Sequence, residues 1–364
     1  MSKTLEQILG SVNLLGLIQG VTQGIPNPLP DGFMTVNKQV LGRTGRYVRV
    51  QGQRQTAKLV AYGSPAVRTG LKGIDEIDVM LLHSFEEQMI DVLTLQRLRQ
   101  YDSYEVQQLG MQEVARHAAN FAMKFKNLRI AVACQMLNAG AVYYDTDGNL
   151  LPSSAGAAVT VSAQMAAGNQ TQLNMLGAGS IISASWATAT TNIPLQLRNL
   201  KTAFLKLTGY PAELAIYGKN VPTYFTNNDF VADYLSRNYP KATPYLALNE
   251  LPQLFGFEWI PAYTSFFEDQ NGTNQDIIGD DTVIFCPRPS IEWFQVIEGS
   301  YQIPNSIDIR PEQFGVASAF RTVYGDFGYS LPAASPPTYT SFFGTTFLAI
   351  PTVPNALAQA DVTV

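Results

Sequence analysis

Few residues in this sequence have the type and spacing that chemistry needs. There are two histidines among 364 residues, His83 and His117. Zinc and non-haem iron sites draw on several His or Cys side chains at short spacings. The nearest approach to a ligand pair is His83-Ser84-Phe85-Glu86. A histidine satisfied within the fold explains His83 more simply, and a packing or surface role explains His117. Any Ser–His–Asp or Cys–His set would have to use one of these two, and no G-x-S-x-G nucleophile elbow occurs. Gly177-Ala178-Gly179-Ser180 is the tightest glycine pair, but no lysine follows it and no periodic helix opens after it, so it does not read as a phosphate loop. The neighbouring carboxylates Glu86-Glu87 and Asp280-Asp281 should point apart, which makes them poor acid–base pairs. Residues 269–274 (DQNGTN) are rich in oxygen but lack EF-hand spacing, and a plain turn accounts for them. Cys134 and Cys286 are too few for a disulfide framework and read as small buried hydrophobes of a protein folded in a reducing compartment. The expectation is no catalytic residue, no bound metal and no cofactor.

The composition points the same way. Hydrophobic residues make up 46% of the chain and charged residues 15%, against about 25% charged in ordinary soluble domains. Such a polar but weakly charged surface suits a protein whose neighbours are mostly protein. A net charge of −5 argues against a dedicated nucleic-acid binder. No apolar run reaches the roughly 18 residues of a membrane span, and the first 20 residues do not make a secretion signal.

The charge is segregated. No acidic residue stands between Asp31 and Asp75, a span that carries Lys38, Arg43, Arg46, Arg49, Arg54, Lys58, Arg68 and Lys72. No basic residue stands between Lys241 and Arg288, where Glu250, Glu258, Glu268, Asp269, Asp276, Asp280 and Asp281 lie.

The elements that would carry these charges follow from periodicity. Residues 1–30 read as a short amphipathic helix (Leu5, Ile8, Leu9, Val12, Leu15) and then an extended arm with Pro26, Pro28 and Pro30. Residues 31–75 read as a two-stranded basic excursion with too few large apolar side chains for a core. A lone hairpin is marginal in water, so it should lie on something else, most simply a neighbouring copy. Helix is expected over 81–98 and again over 103–138, where Val114, Ala118, Phe121, Phe125, Leu128, Val132 and Met136 form one seam. Asn138-Ala139-Gly140 should end that helix. A hairpin over 141–151 follows, with Asp147-Gly148 as a type I′ signal, and 152–185 reads as extended surface segments. Next comes a compact α/β unit. Its first helix is capped at Thr191-Asn192 with Pro194 in the first turn and ended at Gly209; a strand over 212–217 and a second helix over 221–238 follow. Strands are expected at 257–261 and 282–286, joined by a loop over 268–280. More are expected at 291–297, 317–324 and 347–350, with a Pro-rich break at 331–337 and a loose C-terminus.

This order of elements resembles the major capsid proteins of tailed bacteriophages, specifically the lambda-like E family with the HK97-type fold. Three stretches carry the likeness: the long helix running into the hairpin of residues 143–150 (YYDTDGNL); residues 186–194 (WATATTNIP) with the helix, Thr208-Gly209-Tyr210-Pro211 and strand after them; and residues 281–287 (DTVIFCP). The resemblance implies an α+β fold with an N-terminal arm (1–30), an E-loop reaching over an adjacent subunit (31–80), a P-domain with a long spine helix (81–185), an A-domain meeting others at hexamer and pentamer centres (186–285) and P-domain return strands (286–364). It further implies a non-enzymatic subunit that assembles in the host cytoplasm into an icosahedral virion capsid around double-stranded DNA. Identical subunits would be the main partners, with portal, scaffolding and decoration proteins as further candidates and only non-specific contact to DNA.

The charge segregation then suggests a docking mode. Arg43, Arg46, Arg49, Arg54 and Lys58 would contact Glu258, Glu268, Asp269, Asp276, Asp280 and Asp281 of a neighbour. The alternatives are an encapsulin-like compartment of the same fold, a tail or decoration component, and a glycosidase using two carboxylates; nothing in the sequence fixes such a carboxylate pair.

Overall fold

The computed structural model describes residues 27, 29–50, 74–90, 92–99, 104–163, 181–238, 251, 253–263, 266–268, 273–276, 278–304, 320–333 and 338–363. The expected N-terminal helix, the Gly177–Ser180 pair and residues 269–272 of the 269–274 stretch fall outside them.

Helix α1 (Val92–Arg99) leads into α2 (Tyr104–Ala139), 36 residues long and thus about 54 Å from end to end. Its periodic seam is the reason it forms and the face it buries: Val114, Ala118, Phe121, Phe125, Val132 and Met136 are all buried. It ends where expected, at Gly140 with φ +63°.

The seam lies on a six-stranded sheet built from β1 (Lys38–Val40), β4 (Leu82–Ile90), β13 (Phe294–Pro304), β14 (Phe320–Tyr324), β15 (Asp326–Ala333) and β16 (Thr338–Pro351). The long strand β16 is central: β4 pairs with one edge, and β15 and β13 share the other. Phe121 stacks on Phe343 of β16 with centroids 4.4 Å apart.

A four-stranded sheet, in the order β17 (Ala358–Asp361), β12 (Thr282–Cys286), β8 (Leu214–Tyr217), β9 (Glu258–Pro261), forms the α/β unit. β8 and β12 are buried along their whole length, as continuous apolar runs predict. Ala215, Tyr217, Val283 and Phe285 face a core shared with α3 (Ile193–Thr208), α4 (Val221–Thr226) and α5 (Asp229–Asn238). Leu214, Ile216, Ile284 and Cys286 face Ile130, Cys134 and Leu137 of α2, together with Trp293 and Phe294. The small sheet is therefore a middle layer between α3–α5 and the end of α2. A three-stranded sheet of β5 (Ala141–Tyr144), β6 (Leu150–Leu151) and β7 (Val159–Ser162) caps α2.

Several expectations are corrected. Residues 82–90 are strand, not helix: their exposure alternates residue by residue and they pair with β16 throughout, so a period of 2 is realised where 3.6 was expected. The 141–151 hairpin does not turn as type I′, which needs positive φ at both central residues. Gly148 has φ +84° but Asp147 does not, and the Asp145 carboxylate accepts the N–H groups of Asp147 (2.9 Å) and Asn149 (2.8 Å). The 221–238 helix is two helices. Between them Asn228 is buried, donates to the carbonyls of Ala189 (3.0 Å) and Thr191 (2.7 Å), and accepts from the Val231 N–H (3.1 Å); those bonds stop α4 and cap α5. The 268–280 loop contains a hairpin of β10 (Phe266–Glu268) and β11 (Asn274–Asp276). β15 continues through Pro332 to Ala333. The C-terminus is not loose: β17 pairs with β12, and Ala358, Ala360 and Val362 are buried.

Candidate functional site

The basic excursion begins at the large sheet. β1 runs parallel to β13, Lys38 opposite Ile297. The Gly42 N–H then donates to Ser300 Oγ (2.8 Å), and the Leu81 N–H to the Arg43 carbonyl (2.8 Å). From this root rises a two-stranded ribbon, β2 (Thr44–Val50) with β3 (Ile74–Met80), in register from Thr44–Met80 to Val50–Ile74. Its root is not coreless: Tyr47 is buried among Val132, Met136, Ile297 and Phe347, with Ile77 and Val79 packed alongside, and Phe33 is buried against Trp293 and Phe294.

The ribbon meets its own charge. Arg46 is opposite Asp78 in register and grips its carboxylate with both Nε (2.7 Å) and Nη2 (3.2 Å), while Nη1 reaches Glu76 (3.2 Å). The Arg46 hydrogen bond holds the Asp78 carboxyl below its ordinary pKa. Arg49 is opposite Asp75. Arg43 is exposed, and Arg54 and Lys58 lie outside the described residues.

On the acidic side, the register places Glu258 at the Leu214 end of the small sheet and Asp280 and Asp281 at its Tyr217 end, and several of the residues are engaged within their own subunit. Glu258 accepts from Arg288 Nη2 (2.9 Å), and the same guanidinium lies 3.4 Å from Glu213. Asp281 accepts from Asn220 Nδ2 (2.9 Å) and from the Tyr224 hydroxyl. Burial first, and then the Asp281 carboxylate, push that hydroxyl up to about 12. Asp276 and Asp280 are exposed. Glu268 pairs with Asn274 in the β10–β11 hairpin, and Asp269 is outside the described residues. Among the described residues no ion pair joins a basic candidate to an acidic candidate within one subunit. The pairings that are present join Arg46 to β3 and Arg288 to Glu258 and Glu213.

The two histidines are placed apart by the fold. His83 Nδ1 lies 2.8 Å from Thr346 Oγ1, and its ring stacks near Tyr301 and Phe327. Burial, with a contribution from Arg43, lowers its pKa. His117 on α2 shares a 2.9 Å hydrogen bond with Gln88. Glu86 is ion-paired with Lys124 (2.9 Å). Among the described residues no group of three or more His, Cys, Asp or Glu could hold a metal, and Cys134 and Cys286 are buried free thiols whose pKa values burial raises, that of Cys134 to about 12.

Two features were not anticipated from the sequence. Arg129 of α2 is buried against the large sheet: Nη1 and Nη2 each lie 3.0 Å from Glu298 Oε1, Nη2 also reaches Asp326 (2.8 Å), and the guanidinium sits 5.0 Å from the Phe347 ring centroid. These residues come from three distant parts of the chain, so no local pattern signals them. The other feature is a band of aromatic rings across β4, β13, β15 and β16. Alternation within residues 83–89 was the available signal for it.

Among curated proteins no sequence matches the chain. A family model described as phage major capsid protein E matches residues 21–297. Among solved structures, one described as the capsid protein of a prophage (E. coli CFT073) is similar at a TM-score of 0.55 and 11% identity, over 98% of this chain and 99% of that one. A phage-related protein from Bordetella bronchiseptica RB50 reaches a TM-score of 0.49 at 11% identity, over 97% of each chain. At these identities the likeness is one of fold.

Proposed function

The chain belongs to the phage major capsid protein E family and has the α+β, HK97-type fold, and from that premise we propose that it builds the wall of a phage head by self-assembly into hexamers and pentamers. The family match across residues 21–297 carries this reading, because that span includes the ribbon, the long helix and all of the α/β unit except β17. In this reading 1–30 is the arm, 31–80 the E-loop, 81–185 and 286–364 the P-domain and 186–285 the A-domain. The subunit acts mechanically, without enzymatic activity.

The physical work is positioning. The 36-residue α2, locked to the sheet by its apolar seam and by Arg129, is a stiff rod. It holds the α/β unit at one end and the root of the ribbon beside it, so that surfaces are presented at fixed spacing to neighbouring copies. The basic residues of 31–75 contribute to register between copies. Exposed ion pairs are worth at most about 1 kcal/mol each, and repetition over a closed shell makes their sum count. Arg43, Arg49, Arg54 and Lys58 remain the candidates for this, with Asp276 and Asp280 as the exposed acidic partners; Arg46, Glu258 and Asp281 also serve their own subunit. Portal, scaffolding and decoration proteins are further partners in this scheme, and packaged DNA is met without sequence reading.

Electron microscopy of the purified, overexpressed protein tests the proposal. Closed particles or capsomer rings are expected, and virions should hold nuclease-protected double-stranded DNA. A protein that stays monomeric at every concentration, salt and pH tried would overturn the shell reading. Particles that enclose a protein cargo and never DNA would replace a phage head with an encapsulin-like compartment.

A further inference from the structure

Beyond Glu298, β13 pairs with β14 as a hairpin, from Ser300–Tyr324 to Pro304–Phe320, with Arg321 opposite Ile303. Side chains alternate across a strand, so Arg321 shares one face with Tyr301, Ile303 and Val323. Ile303 is fully buried, and Tyr301 stacks on Phe327 at 4.2 Å. The register thus sets a guanidinium among apolar side chains.

No carboxylate balances it. Residues 299–304 and 320–325 contain no acid. The nearest acids along the two strands are Glu298 and Asp326, each five residues, or about 17 Å, from the Ile303–Arg321 pair. Both are held by Arg129. Among the described residues no ion pair includes Arg321. Its Nε and Nη2 are sealed from solvent without a hydrogen-bond partner. That edge of a guanidinium takes two oxygens at once. Arg46 uses the same two nitrogens on Asp78, at 2.7 and 3.2 Å. On Arg321 the same edge has no oxygen to hold.

Burying charged donors without a partner costs stability. An apolar side chain of similar length would fill the place beside Ile303 at lower cost, so the subunit's own stability does not explain Arg321. A residue that costs stability in the free protein is retained for what it binds. Its ligand must be negative and present two oxygens. It must also be small. The edge is sealed, while Arg321 as a whole is half-buried, so the exposed part of the side chain gives an ion a way in.

We propose that Arg321 is the binding residue of a site for a small oxyanion (phosphate, sulfate or a compact carboxylate) that completes the β13–β14 hairpin. The proposal goes beyond the capsid reading and does not depend on it.

The test compares full-length wild-type and Arg321→Met subunits in thermal melts. These are recorded in chloride, and again with about 50 mM phosphate, sulfate or acetate at constant ionic strength. Phosphate and sulfate stabilise proteins in general by exclusion from their surface, so the readout is the difference between the two chains. In chloride Arg321→Met should melt higher, by about 2 °C or more. With at least one of the three anions the wild type should gain about 2 °C or more beyond the gain of Arg321→Met, and that excess should saturate with concentration. Arg321→Lys keeps the charge but not the two-nitrogen edge, and should gain less than the wild type. Equal gains in wild type and Arg321→Met with all three anions would overturn the proposal. So would an Arg321→Met chain that melts lower in chloride or fails to fold, which would mean that the guanidinium is already satisfied within the chain, as by Asp308 or Glu312. Neither failure touches the capsid reading, which stands or falls on the particles.

Discussion

Arg129 joins α2 to β13 and β15 by pairing with two carboxylates that are themselves largely buried. Its Nε has no hydrogen-bond partner, so the site is tuned for charge and not for complete satisfaction. Removing the cation leaves Glu298 and Asp326 unpaired in a medium that solvates them poorly. Arg129→Met should therefore cost about 3–5 kcal/mol, measured by urea denaturation of the unassembled subunit. His83 makes a different prediction. Its imidazole is half-buried and its pKa depressed, so the folded state favours the neutral ring, while the unfolded chain takes up a proton near about 6.5. The sign follows from linkage: the contribution is fully present above that value and is lost as pH falls below it, toward the lower folded pKa. Stability should drop as pH falls below about 6.5, and His83→Gln, which can still hydrogen-bond Thr346, should flatten that drop in thermal melts recorded over a series of pH values.

At the level of elements, single polar side chains decide where helices stop. Asn192 accepts the Leu195 N–H (3.0 Å) at the start of α3, and Gly209, with φ +80°, closes it. Both were legible because they sit at the edges of an apolar seam. Asn228 was not, because the apolar residues on either side of it continue a helical pattern. What breaks the helix is a pair of distant carbonyls, those of Ala189 and Thr191, which only the tertiary fold supplies. Asn228→Ala takes the acceptor from the Val231 N–H at the α5 N-terminus and removes one donor each from the Ala189 and Thr191 carbonyls, which keep the Asp229 and Ile193 N–H groups, at an expected loss of about 1–2 kcal/mol. A drop in the denaturation midpoint with unchanged helix content by circular dichroism would show it; a neutral substitution would mean that the cap contributes nothing.

For the whole molecule, the ribbon separates folding from assembly. Tyr47 belongs to the core, so deleting 40–65 would damage the subunit itself. Val50 and Ile74 face each other in register, and an Asn-Gly turn in place of 51–73 closes the two strands with a favoured geometry. This shortened chain should keep its melting temperature within a few degrees and remain a soluble subunit, yet form no closed particles by electron microscopy. Normal particles from it would show that the excursion is dispensable.

The sequence by itself determined the long helix, its seam and its end at Gly140, the capped α3, the buried strands β8 and β12, and the order of parts that resembles the capsid family. In each, the signal is local: a period, a cap or a turn within a few residues. Tertiary structure alone decided that 82–90 is strand, because β16 offers a partner along its whole length, and that the last residues are held, because β12 has a free edge. It also decided where the charges go. Segregation along the chain suggested two surfaces that attract; folding brings Asp78 and Glu76 beside Arg46, and Arg288 beside Glu258, because a strand places a residue next to whatever its register dictates, at any distance in sequence.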